Sequence, residues 1–171
     1  MIKFTKTITI KASAAKVWKV FAHGFNDAHK WMASVPHSYA QTNGESFDGA
    51  HSQGRVCELN PNEKGIKASE KFLAYNEENK TATVQIDFVN TPFFFPVKFN
   101  TLEFSLLEVG DNQSKMTWKF GSNIKPLGFI LWPLLRIGFG KFVGDIMEEL
   151  KFYVENGTPH SRKIKAMKKQ G

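Results

Sequence analysis

Ala82-Thr83-Val84-Gln85-Ile86-Asp87-Phe88 alternates without a break. Ala82, Val84, Ile86 and Phe88 fall to one side, and Thr83, Gln85 and Asp87 to the other. Period two marks a strand with one face covered and one wet. The pattern recurs downstream: Leu102, Phe104 and Leu106 alternate with Glu103 and Ser105, and Met116, Trp118 and Phe120 with Lys115, Thr117 and Lys119. Upstream, strands over residues 53–59 and 66–75 flank a turn at Asn60-Pro61-Asn62-Glu63-Lys64-Gly65, and residues 35–42 form a weaker strand. The links Glu77-Glu78-Asn79 and Gly110-Asp111-Asn112 suit tight hairpins. The chain opens on one more strand, with Ile2, Phe4, Ile8 and Ile10 on its apolar face. Lys6 interrupts that face, which calls for a bulge or for a side chain reaching out to water. One-sided alternation repeated this often specifies an antiparallel sheet.

Helical spacing is confined to the two ends of the chain. Ser13 reads as an N-cap for a helix over 14–22 with Val17, Trp18 and Phe21 on one side. His23-Gly24 ends it, and a second short helix covers 25–32. At the far end, residues 140–155 place Phe142, Val143, Ile146, Met147, Leu150, Tyr153 and Val154 on one stripe. Lys141, Glu148, Glu149, Lys151 and Glu155 form its wet face, and Asn156-Gly157 stops it. The fold class is therefore α+β: a curved seven-stranded sheet with two short helices near the start and one long helix at the end. A sheet wrapped around a single helix does not close its core tightly, and the gap is a natural pocket for a small molecule.

Length and composition narrow the possibilities. At 171 residues the chain suits one domain with a real core, placed at 1–157. The net charge of +7 is uneven, because Arg162, Lys163, Lys165, Lys168 and Lys169 come with no acid after residue 159. Residues 158–171 read as a basic, flexible tail; contact with an anionic membrane is the other reading. The first residues lack the apolar run of a signal peptide, and the single Cys57 fits a reducing cytoplasm. Phosphate-cradling glycine loops, zinc motifs and nucleophile elbows do not occur, and the five histidines lack metal-ligand spacing. No metal, cofactor or nucleic acid is expected.

Several phrases in this order are familiar together. They are the opening strand with Ala12-Ser13-Ala14-Ala15-Lys16-Val17-Trp18, then Trp31, Gly54-Arg55 and Glu70. Thr101-Leu102-Glu103, Met116-Thr117-Trp118 and Leu150-Lys151 in the closing helix complete the set. Together they resemble the START-like superfamily, also called SRPBCC or polyketide cyclase/dehydrase-like, with the Bet v 1 helix-grip fold. The resemblance implies a seven-stranded sheet gripping the C-terminal helix around a hydrophobic cavity. It also implies binding of a lipid, sterol, polyketide or hormone-like ligand, with enzymes a minority. It carries over no catalytic motif.

The candidate site follows from parity. If Leu59 pairs with Ile66 across the turn, Cys57 faces Ala68 and Arg55 faces Glu70 on the covered side. Two readings fit: a structural ion pair, or a polar anchor that orients a ligand. His37 and Tyr39 share a face with Val35 and, if that face is inward, would supply an acid or base. Phe72, Phe88, Phe104, Met116, Trp118 and Phe120 on the sheet, with Phe142, Ile146 and Met147 on the helix, are candidate cavity walls. Binding of a small hydrophobic ligand, with possible transport, is the first expectation. The alternatives are a cyclase, dehydratase or isomerase using His37, Tyr39 or Glu70, and a membrane-associated or partner-binding protein without a ligand. Two apolar segments, Phe93-Phe94-Phe95 between prolines and the run from Leu127 to Phe139, read as core, as a cavity lid, or as a membrane contact with the basic tail. In the last reading the run counts from Leu127 to Leu135.

Overall fold

The structure, a computed structural model, describes residues 1–60 and 64–169, apart from the side chain of Leu127. The expected turn at Pro61, Asn62 and Glu63 lies outside the described residues. Seven strands form one antiparallel sheet: β1 (Ile2–Ile10), β2 (His37–Ala40), β3 (Gly54–Glu58), β4 (Lys67–Asn76), β5 (Thr81–Val89), β6 (Val97–Gly110) and β7 (Gln113–Ile124). Their order is β1-β7-β6-β5-β4-β3-β2. Strands β2 to β7 are thus a meander in which each strand pairs with the next, and β1 closes beside the last. Asn112 takes the left-handed φ of 52° that the β6–β7 hairpin needs, a conformation asparagine tolerates.

The long strands curve. Register shifts lie between Phe72 and Ala74, between Val97 and Phe99, and between Glu108 and Gly110. Each adds bend and twist to its strand, and the first turns Leu73 out to solvent. Lys6 sits at no such irregularity. It pairs in straight register with Trp118 and is half-buried beneath the last long helix. There a Cβ at Gly144 would lie 3.2 Å from its Nζ, so a glycine on the helix makes the room for the lysine.

Helix α1 (Ala14–Trp18) starts at Ser13, whose hydroxyl accepts from the Lys16 N–H at 3.3 Å. The expected helix over 14–22 then widens into a π-helical turn, Lys19–His23, and a 3₁₀ segment, Phe25–Lys30, follows. Helix α2 (Trp132–Asn156) crosses the concave face of the sheet. It ends at Gly157, whose φ of 72° and N–H to the Tyr153 carbonyl (2.8 Å) close the last turn.

Three expectations about the C-terminal region need correction. Helix α2 begins at Trp132 rather than near residue 140, because Pro133 falls in its first turn, where the missing N–H has no partner to lose. Residues 161–168 are not a flexible tail: helix α3 (Ser161–Lys168) docks on the body. Arg162 Nε donates to Glu149 Oε1 at 2.7 Å, and its Nη2 donates to the Asp145 carbonyl at 2.8 Å. Lys163 is buried and donates to the Val35 carbonyl at 2.8 Å. Glu149 is therefore not on a wet face. It is 2% exposed, and its other oxygen accepts from the Ala33 N–H at 2.9 Å. A count of tail charges does not see that the acids of α2 are their partners.

Candidate ligand cavity

Between the concave sheet face and α2 lies a cavity of ≈ 560 Å³, a size that encloses a drug-sized molecule. Its floor is the inward face of the central strands, including Ile86, Phe88, Leu102, Trp118 and Phe120. Its roof is one side of α2, with Leu135, Phe139, Phe142, Val143 and Ile146. Phe21, Phe25, Met32 and Val35 from the N-terminal helical region close one end.

The expected parity holds. Arg55 pairs with Glu70 and Cys57 with Ala68, and the Leu59 N–H bonds the Ile66 carbonyl at 3.0 Å. Arg55 Nη2 donates to Glu70 Oε2 at 2.8 Å and Nε to the same oxygen at 3.1 Å. Arg55 Nη1 donates to the Phe25 carbonyl at 2.8 Å, and the guanidinium lies 4.1 Å from the Phe25 ring centre. Both side chains are nearly sealed from solvent and line the cavity. The pair thus compensates itself, as a buried ion pair must. Burial pushes the neighbouring Cys57 thiol far above the usual cysteine range, opposed only in part by the Arg55 charge, so Cys57 is no thiolate nucleophile.

Of the residues named from sequence, Arg55, Glu70, Phe88, Trp118, Phe120, Phe142 and Ile146 line the cavity. Phe72, Phe104, Met116 and Met147 are buried but belong to the closed part of the core, where Phe104 stacks on Phe21 at 3.9 Å and Phe72 meets Phe25 at 4.5 Å. His37 and Tyr39 are on the outside. Strand β2 pairs Ser38 with inward Cys57, which turns both neighbours outward. The expectation tied them to Val35, but β2 starts only at His37, after Pro36, so no strand alternation connects them. The inward hydroxyl is Ser38, bonded to His29 and to the Asn26 carbonyl.

Sequence reasoning missed Asn100. The alternation Leu102, Phe104, Leu106 extends back two residues in β6, which places Asn100 on the same inward face. It is 5% exposed and lines the cavity. A second unforeseen cluster lies away from the cavity, around Glu77. Its Oε2 accepts from Trp18 Nε1 at 2.7 Å and the Tyr75 hydroxyl at 2.8 Å, and lies 3.1 Å from His23 Nε2. Partial burial alone would raise this carboxyl, but those hydrogen bonds outweigh it and hold it at about 2.

The cavity opens through apolar residues. Leu131, Leu134 and Phe142 line it and are also 45%, 69% and 46% exposed. Phe95 and Pro96 form the facing lip, fastened to the start of the helical segment by the Lys125 N–H to the Pro96 carbonyl (2.8 Å). Beyond the lips, Phe93, Phe94, Ile130 and Ile137 stand in solvent.

The family described as polyketide cyclase/dehydrase and lipid transport matches residues 1–155. No curated protein matches by sequence. Among solved structures, a START superfamily protein from Mycobacterium smegmatis superposes with a TM-score of 0.70 at 12% identity, over 91% of this chain and 99% of the other. Ara h 8.0201 gives 0.62 at 16% identity, over 89% and 96%. A truncated norcoclaurine synthase from Thalictrum flavum gives 0.59 at 16% identity, over 90% and 93%. These likenesses establish the helix-grip fold.

Proposed function

Because the chain belongs to the polyketide cyclase/dehydrase and lipid transport family, we propose that it binds a small hydrophobic molecule between sheet and α2 and exchanges it at a membrane surface. The observation that carries this reading is the unbroken apolar surface running from the cavity to the outside of its mouth, across Leu131, Leu134 and Phe142. Affinity comes from apolar burial, at about 25 cal/mol per Å². Acid–base chemistry in the same cavity keeps one of its three candidates. Glu70 is inside but held by Arg55, while His37 and Tyr39 lie outside.

The surface around the mouth suits an anionic bilayer. Residues 90–98 and 125–140 include Lys98, Lys125 and Arg136 and no acid, beside Phe93, Phe94, Ile130 and Ile137, while Lys141 just beyond them pairs with Asp145 at 2.6 Å. That combination is the one that seats a protein on a charged interface. Helix α3 docks at Glu149, fifteen residues and roughly 22 Å along α2 from Leu134. Among the described residues no helix is long and apolar enough to cross a membrane. The lone thiol of Cys57 suits the cytoplasm.

Native mass spectrometry of the purified chain, followed by organic extraction, tests the binding reading. It predicts a one-to-one apolar adduct, or saturable uptake of added N-phenyl-1-naphthylamine. A bare mass with no uptake would remove it. For the membrane, Ile130→Asp with Ile137→Asp should abolish co-sedimentation with vesicles containing phosphatidylglycerol while leaving uptake of the fluorophore intact. Undiminished sedimentation would place the contact elsewhere.

A further inference from the structure

The strand registers align one lateral row of inward residues across the sheet. Arg55 on β3 pairs with Glu70 on β4, Glu70 with Ile86 on β5, Ile86 with Asn100 on β6, and Asn100 with Ser122 on β7. Polar side chains therefore occupy both ends of one row, with Ile86 between them. Glu70 and Asn100 are two strands apart, about 9–10 Å across the sheet.

The two ends differ in what they still need. Arg55 and Glu70 satisfy each other, and the Phe25 carbonyl takes a further donor. Asn100 Oδ1 and Ser122 Oγ are buried and find no hydrogen-bond partner among the described residues. Trp118 Nε1, on the cavity floor, is likewise without one. A buried polar atom left unpaired costs roughly 1–3 kcal/mol, so a ligand hydroxyl or a water is favoured at each, and Asn100 Oδ1 and Trp118 Nε1 are ones that belong to cavity-lining residues. Charge narrows what that is. Among the cavity-lining residues Arg55 and Glu70 alone are charged, and they cancel. A carboxylate inside would meet no free cation and would sit near Glu70.

Resting on the binding reading above, we infer that the ligand is a neutral, oxygenated apolar molecule. A hydroxyl on it donates to Asn100 Oδ1, and a free fatty acid is disfavoured. Asn100, not the Arg55–Glu70 pair, is then the specificity-determining contact.

The test is displacement of N-phenyl-1-naphthylamine by dodecan-1-ol and by dodecanoate at pH 8, on the full chain and on Asn100→Leu. Dodecan-1-ol should compete at least tenfold better than dodecanoate. Asn100→Leu should weaken the alcohol about tenfold, the worth of one good hydrogen bond, read as an inhibition constant corrected for each protein's own fluorophore affinity. An unchanged urea-unfolding midpoint shows that the variant is folded. A fatty acid held tail-first, with its carboxylate among the cations of the mouth, would give the opposite result. Dodecanoate would then bind more tightly, lose affinity with salt and ignore Asn100→Leu, and that outcome overturns the inference alone. Failure of the chain to take up the fluorophore at all would instead overturn the binding reading on which it rests.

Discussion

The two halves of helix α2 share a backbone but not an environment. From Val143 onward the helix buries Val143, Ile146, Met147, Glu149, Leu150 and Val154. Before Val143 no residue is fully buried: Trp132, Leu135 and Phe139 are half-buried, and Ile130, Leu134 and Ile137, in and just ahead of it, are 82%, 69% and 72% exposed. The C-terminal half is also tied down by polar contacts, through Glu149 to the Ala33 N–H and to Arg162. The N-terminal half has apolar side chains facing both the cavity and the solvent, with Gly138 and Gly140 adding backbone freedom. Local stability follows buried contact. The C-terminal half of α2 is thus a structural beam, and we propose that the N-terminal half is a door.

The largest test of that contrast is truncation. Leu150→Ala should lower unfolding stability by about 2–5 kcal/mol, since its side chain is fully buried. Leu134→Ala should change it by less than about 0.5 kcal/mol. Urea unfolding decides, and equal costs would erase the division. Next is the polar tie. Glu149→Gln should cost about 1–3 kcal/mol through its weakened charge-assisted hydrogen bonds, and hydrogen exchange should rise across residues 161–168 while residues 130–140 stay as they were. If α3 keeps its protection, Arg162 and Lys163 do not depend on Glu149 for their docking.

The smallest effect lies away from α2, at Glu77. Its folded pKa of about 2 is depressed from the usual 4.5. A depressed carboxyl stabilises the fold above its unfolded pKa, and that stabilisation is lost as pH falls from about 4.5 towards 2. Relative to the parent chain, Glu77→Gln should flatten the acid limb of a stability–pH curve in that window and change nothing at pH 7–8 in its shape. An identical acid limb would show that the Trp18–Tyr75–His23 contacts do not set this carboxyl.

Much of this was legible in the sequence because period two survives wherever one sheet face is wet. The pairing of Arg55 with Glu70 followed from parity alone, and both cavity-lining Phe88 and Trp118 lay on the faces the alternation selects. What escaped had physical reasons. His37 and Tyr39 were tied to Val35 across Pro36, where alternation does not carry. Asn100 was missed because a polar residue at a strand's start resembles loop. The beginning of α2 was hidden by Pro133, which stops a helix interior but suits a first turn. Half of helix α3 is charged, and its order comes from partners far off in sequence: the acids of α2, 13–17 residues earlier, and the Val35 carbonyl.

The most direct test of the door is hydrogen exchange with mass spectrometry, with and without saturating N-phenyl-1-naphthylamine. If the N-terminal half is a door, residues 132–142 exchange fast in the free chain and slow down with the bound fluorophore, while residues 146–154 exchange slowly and are left unchanged by it. Equal protection of both halves in the free chain, with no response to the fluorophore, would contradict it.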